Sequence, residues 1–206
     1  MSSELPEPWK SFLTHLDRMV WSNVALHCLG GFVVTTCYGL PRPTGDLDVL
    51  LVLPSDLQAA LVRLAGKSSD LHKKHGVYLD VVTVATYPEN YEKRLVEVFP
   101  TACQHIHLFA LDPYDLVLAK LERNLQRDRD DFAYLAQTVP LDLSILRNRY
   151  NDEMRAYLGR PDREDVTLQL WIDIVEERRT HEFEELRQGS HESIDEFSRL
   201  RHDERQ

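Results

Sequence analysis

Apolar positions recur every three or four residues through the first stretch of the chain, and the period changes soon afterwards. Trp9, Phe12, Leu13, Leu16, Met19 and Val20 fall on one face of a helix predicted from about Pro8 to Val20. "VALHCL" is short and continuously apolar, which predicts a strand ending at the pair Gly30-Gly31. "FVVTTCYG" fits strand or helix by pattern alone. Paired glycines suit a tight turn and Gly39 suits a helix stop, so a short helix is the expectation. "DLDVLLVL" reads as a strand closed by Pro54, with Ser55 as N-cap of a helix over "DLQAALVRLAG". "VYLDVVTV" is a further strand, "PENYEKRLVEVF" a short helix, and "HIHLFAL" another strand. Three or four strands with helices between them make a small sheet.

The pattern turns wholly helical after Asp112. "DPYDLVLAKLERNL" opens with a capping Asp and Pro113 at the first helical position. "DDFAYLAQ" continues helically, and "LDLSILRNRYNDEMRAYLG" sets Leu146, Tyr150, Met154 and Leu158 four apart before Gly159. "DREDVTLQLWIDIVEERR" is one more helix, in which Trp171 with Leu170, Ile174 and Val175 reads as core. The expected architecture is therefore α+β: an α/β core over 1–112, a helical region over 113–180, and a charged tail over 181–206, helical or disordered.

Composition narrows the function classes. With 43% apolar and 28% charged residues over 206, the chain has material for one substantial core and is not globally disordered. A formal charge of −10 excludes a nonspecific nucleic-acid coat but leaves room for a local basic groove. Cys28, Cys37 and Cys103 are odd in number and lack CxxC spacing, which suits free thiols in a reducing compartment. No apolar run approaches membrane-spanning length and "MSSELPEPWK" has no leader pattern. The expectation is a cytoplasmic protein without a membrane partner.

Candidate chemistry sits at "RPTGDLDVLLVLP". On a strand Asp46 and Asp48 point to one face, roughly 7 Å apart. Asp80 lies inside the apolar "YLDVVTV". If the two strands are neighbours, three carboxylates converge, and a hard divalent cation would relieve their repulsion. Left in a loop, the first two would simply be exposed. Upstream, Gly30-Gly31 between strand and helix presents backbone N–H groups that suit a phosphate.

Together "LGGFVVTTCYGLPRPTGDLDVLL" and "LDVVTV" resemble the core of the DNA polymerase β-like nucleotidyltransferases. Arg42, Thr44, Asp46 and Asp48 follow the R-x-T-x-D-x-D form of the minimal prokaryotic branch, which includes type IV toxins and abortive-infection proteins. "DPYDLVLAKLERNLQRDRDDFAYLA" is similar to the second signature of that branch. The resemblance implies a nucleotidyltransferase-like mixed sheet flanked by helices. It also implies catalysis by Asp46, Asp48, Asp80 and Lys120, with Mg²⁺ (or Mn²⁺) held by the three aspartates. An NTP would contact Gly30, Gly31, Arg42, Thr44, Asp128 and Asp131. The acceptor would be RNA (tRNA) or protein, a cognate antitoxin would be a partner, and a homodimer is allowed. Gly31 departs from the serine common in active members.

Two other features carry no function. "GKSS" lacks the glycine a P-loop needs, since Leu61 stands five places before Gly66. His105 and His107 have no spaced partner ligand and read as sheet histidines. The competing function is a catalytically silent nucleotidyltransferase fold acting as a binding or regulatory module. A sugar-nucleotide glycosyltransferase would need more chain, and a haloacid-type phosphatase would need Thr or Val at Leu50.

Overall fold

The computed structural model describes residues 4–181; the tail expected over 181–206 lies, beyond its first residue, outside them. At the centre is a five-stranded mixed sheet of β1 (Val24–Leu29), β2 (Asp46–Leu53), β3 (Tyr78–Val81), β4 (Val96–Val98) and β5 (Ile106–Ala110). Its order is β3-β2-β1-β5-β4. β1 is antiparallel to β2, with a shift in register between His27 and Cys28, and parallel to β5. β2 and β3 are parallel, and β4 closes the far edge antiparallel to β5. The central strand is buried along almost its whole length, with His27 Nδ1 3.1 Å from the Tyr91 hydroxyl. Val24, Leu26 and Cys28 are all fully buried.

The first helix, α1 (Trp9–Asp17), buries Trp9, Phe12, Leu13 and Leu16 along one stripe. Asp17 ends it, and its carboxylate accepts from the backbone N–H groups of Gln104, His105 and Ile106 at 2.8–2.9 Å. Burial opposes that charge, but the three donors outweigh burial and hold the Asp17 pKa below the ordinary value. α2 (Gly30–Tyr38) runs directly out of β1 and stops at Gly39, whose φ of 77° is the left-handed conformation open to glycine.

Several predicted elements differ in detail. Ser55 does not cap a helix. Residues Ser55–Leu57 form a tight 3₁₀ turn, with Leu57 N–H bonded to Pro54 O at 3.2 Å, before α3 (Gln58–Ala65) begins. α4 (Asp70–His75) has no counterpart among the predicted elements, although Ser69 caps it by accepting from His72 N–H at 3.1 Å. The strand expected over "VYLDVVTV" ends at Val81, because β3 is an edge strand with β2 as its one partner. "PENYEKRLVEVF" is a 3₁₀ turn at Tyr91–Arg94 followed by β4, since Val96 and Val98 pair with Ala110 and Leu108 of β5. The sheet thus has five strands where three or four were expected.

The helical half contains α5 (Pro113–Leu118), α6 (Gln126–Thr138), α7 (Leu143–Arg149) and α8, which covers 161–181. α5 has the expected cap, Asp112 accepting from Asp115 N–H at 2.9 Å. It ends before Lys120, so that lysine lies in a turn and not mid-helix. α7 is shorter than predicted: the chain widens into a π turn at Tyr150–Met154 and tightens again at Arg155–Tyr157. Leu146, Tyr150, Met154 and Leu158 are nevertheless all buried. Two hydrophobic clusters result. One sits between the sheet, α1 and α2; the other joins α6, α7 and α8 to Val34, Val117 and Leu118. Trp171 stacks on Phe132 at 5.6 Å within the second and Val175 is buried with it, but Leu170 and Ile174, expected in the core, are exposed because they fall on the outer face of α8.

Candidate active site

Strand alternation and register assemble one face of the sheet. Asp46 and Asp48 lie two apart on β2, Asp48 is the register partner of Asp80, and Asp46 is the partner of Tyr78. All three aspartates therefore share a side of the sheet, together with the Tyr78 ring. On its other flank Asp48 pairs with Leu29, the last residue of β1, so the glycine turn arrives against it. Gly30 has a φ of 72°, and a Cβ there would lie 1.9 Å from Asp48 Oδ2. Any side chain at 30 would displace the carboxylate. A Cβ at Gly31 would lie 3.0 Å from Thr44 Oγ1, and that hydroxyl donates to Asp46 Oδ1 at 2.7 Å.

The electrostatics follow from this crowding. Burial, then Asp46 and Asp80, push the Asp48 pKa up to about 6, while Arg123 and Lys120 work in the opposite direction. Among the described residues no three His, Cys, Asp or Glu side chains form a ready-made metal cage. The donors that share this face are all carboxylates, which suit a hard cation. Mg²⁺ characteristically takes one or two carboxylates and completes its shell with water and phosphate, so an open set fits it. Asp46, Asp48 and Asp80 are the residues that would hold it.

Cations line the other side. Lys120 is buried and bonded to Asp131 Oδ2, while Arg42 Nη2 stands 2.6 Å from Asp131 Oδ1 in an ion pair without hydrogen-bond alignment. Burial pulls the Lys120 pKa below the ordinary lysine value, although Asp131 resists. Arg123 forks onto Asp128 through Nε at 3.0 Å and Nη2 at 2.5 Å, and Asp128 also accepts from Leu125 N–H at 2.9 Å. Asp128 and Asp131 are almost wholly buried, so each acts on the site through the cation it holds. Asp128 pairs with Arg123, not with the neighbouring Arg127.

Two cavities flank the glycine turn. A cleft of about 350 Å³ has apolar walls from Leu29, Val82, Val84 and Ala119. A smaller one of about 170 Å³ is lined by Gly31, Thr44 and the cations Arg42, Arg123 and Arg127. Lys120 and Arg123 border both.

A strand that turns through glycine into a helix, with carboxylates on the next two strands and cations opposite from the loop before β2 and the turn after α5, is the architecture of a nucleotidyltransferase. The chain matches the family described as nucleotidyltransferase of unknown function (DUF6036) over residues 13–179, and it belongs to that family. No curated protein and no solved structure matches it. No helix among the described residues is long and apolar enough to cross a membrane.

Of the residues singled out from the sequence, Gly30, Gly31, Arg42, Thr44, Asp46, Asp48, Lys120 and Asp131 border this turn or each other. Asp80 joins them through its register with Asp48, and Asp128 lines neither cavity and meets the site through Arg123. Arg123, Arg127 and Tyr78 are additional. Arg123 is five places before Asp128, a spacing with no helical meaning until the turn after α5 folds them together. Tyr78 had a signal, being two places before Asp80 on the same strand. His107 Nδ1 lies 3.2 Å from Glu97 Oε1 across β4 and β5, a surface pair away from the carboxylates.

Proposed function

We propose that the protein is a Mg²⁺-dependent nucleotidyltransferase that moves a nucleotide from an NTP to a hydroxyl of an RNA or protein acceptor. The carrying observation is the register of Asp48 with Asp80, with Asp46 on the same face and Gly30 packed against Asp48. The polyphosphate belongs in the smaller cavity, where Arg42, Lys120, Arg123 and Arg127 offset its charge and the amides at the start of α2 donate to it. Base and ribose belong in the apolar cleft. Mg²⁺ held by the three aspartates would polarise the α-phosphoryl group and neutralise developing charge.

The acceptor oxygen attacks the α-phosphorus, the bond to the bridging oxygen breaks, and pyrophosphate leaves. The acceptor's proton passes to solvent or to a carboxylate of the cluster, with Asp80, the exposed member, nearest the open side. Arg42 and Lys120 hold the departing charge, and Asp131 holds them in place. Thr44 Oγ1 fills the space that a side chain at position 31 would enter, but its proton goes to Asp46 Oδ1, so donation to phosphate there falls to the backbone amides. The toxin assignment, with an antitoxin as partner, rests on the R-x-T-x-D-x-D form of residues 42–48.

Incubation with labelled NTPs and Mg²⁺ against RNA and protein acceptors tests the reaction. Losing metal-held charge at the transition state is worth several kcal/mol, so Asp48→Asn should slow transfer roughly 10³-fold. Transfer at the same rate in Asp48→Asn and wild type overturns the carboxylate mechanism, whereas no transfer from any NTP, with no NTP·Mg²⁺ binding in calorimetry, leaves the silent module as the reading. Growth arrest on expression, relieved by Asp48→Ala, is the outcome expected of a toxin.

A further inference from the structure

A track of positive charge leads away from the carboxylate face on the side opposite the phosphate cavity, and we propose that it carries the acceptor as an RNA strand. The inference rests on the nucleotidyl-transfer reading and names which of its two acceptor classes the surface fits. In a chain of net charge −10, residues 67–75 hold Lys67, His72, Lys73, Lys74 and His75 against one acid, Asp70. Asp70 is spent locally on Lys73 at 3.0 Å.

The track is continuous with the site. Tyr78 faces the carboxylates as the partner of Asp46, and β3 has no strand beyond it. The Tyr78 ring centroid is 4.9 Å from that of His72 and 5.7 Å from Lys67 Nζ. At the other end of α4, His75 Nε2 meets His15 Nδ1 of α1 at 3.2 Å. Between the two helices opens a pocket of about 380 Å³, bordered by Lys10, Arg18 and Lys74 and by the hydroxyl residues Ser11 and Thr14. Among the described residues none of those three cations makes an ion pair. The single carboxylate there, Glu7, accepts the Ser11 N–H at 3.1 Å. This pocket shares no lining residue with the two cavities at the glycine turn.

Cations spaced along a surface, Lys10, Arg18 and Lys74 among them in no ion pair with a described residue, match a backbone that repeats a negative charge, and an aromatic ring flanked by cations stacks a base irrespective of its identity. A protein acceptor has no such repeat.

The test is binding of a short fluorescently labelled single-stranded RNA to the full chain by anisotropy, across salt, with NTP·Mg²⁺ binding followed in parallel by calorimetry. Reversing charge along the track (Arg18→Glu, Lys67→Glu and Lys74→Glu together) should weaken RNA binding at least ~10-fold. It should also flatten the plot of log affinity against log salt by about 2, from ~0.7 per lost contact. NTP·Mg²⁺ binding should be unchanged, and Asp48→Asn should bind RNA as wild type does. RNA binding that ignores the charge reversal, or nucleotide transferred to a protein acceptor instead of RNA, overturns the track while leaving nucleotidyl transfer intact. Loss of RNA binding on reversal in a chain that binds no NTP has the opposite meaning: the track stands and the transfer reading falls.

Discussion

Asp48 lives under opposed demands, and its titration should report them. Its folded pKa of about 6 lies above the unfolded carboxyl value, so the native state holds the proton more tightly. Stability therefore falls as pH rises from about 4 to about 6 and stays lower above that window. The effect is of the order of 1–3 kcal/mol. Asp48→Asn should be more stable than wild type at pH 8 without divalent cation, and the two should converge near pH 4; denaturant melts at both pH values check this. A second residue-scale expectation concerns Gly31. Ser at 31 must push Thr44 Oγ1 from 3.0 Å, so Gly31→Ser should be destabilising alone and relieved in Gly31→Ser/Thr44→Ala. A double-mutant cycle should show favourable coupling of about 0.5–1.5 kcal/mol.

Elements are joined by a buried charge network that links the sheet half to the helical half. Arg94, in the turn before β4, forks onto Asp115 of α5 at 2.9 and 3.1 Å and onto Glu153 of the π turn at 2.8 and 3.0 Å. Arg149 of α7 reaches Asp112 at 2.7 Å and Asp115 at 3.0 Å. Burial raises the Asp115 pKa in spite of both arginines. The wider turn at 150–154 carries Glu153 into this network, where it also accepts from Asn90 N–H at 3.0 Å. Arg94→Met would leave Asp115 charged and short of partners. A loss of about 3–5 kcal/mol is expected in chemical denaturation at neutral pH, shrinking in acid as the carboxylate is protonated. Such a network explains why the helical half was legible as helices but not as these helices. Periodicity located the buried Leu146, Tyr150, Met154 and Leu158, whereas the π turn answers to Arg94, more than fifty positions away.

For the molecule as a whole, cations gather at two places among the described residues: around the phosphate cavity, where Asp131 and Asp128 hold Arg42, Lys120 and Arg123, and along the α1–α4 edge, where Lys10, Arg18 and Lys74 make no ion pair. Ligand linkage should be visible globally. NTP with Mg²⁺ at about 100 times its dissociation constant should add about 2.7 kcal/mol, a rise in Tm of several degrees in differential scanning fluorimetry. EDTA should abolish the rise, and Asp48→Asn should not show it. A rise that survives chelation would mean that the nucleotide binds without the carboxylates.

Much of the site was legible because its parts are local. Alternation put Asp46 and Asp48 on one face, the paired glycines marked the turn, and Asp112 with Pro113 marked a helix start; each depends on neighbours a few residues apart. What only the tertiary structure decided is the company those residues keep. Pairing of β2 with β3 brings Asp80 beside Asp48, the turn after α5 brings Arg123 to Asp128, and Asp131 reaches back to Arg42. α4, short and polar, becomes a charged edge only where it packs beside α1. Local periodicity is set by backbone geometry and survives in the sequence, whereas contacts between distant segments are set by packing and charge compensation, which no local window contains.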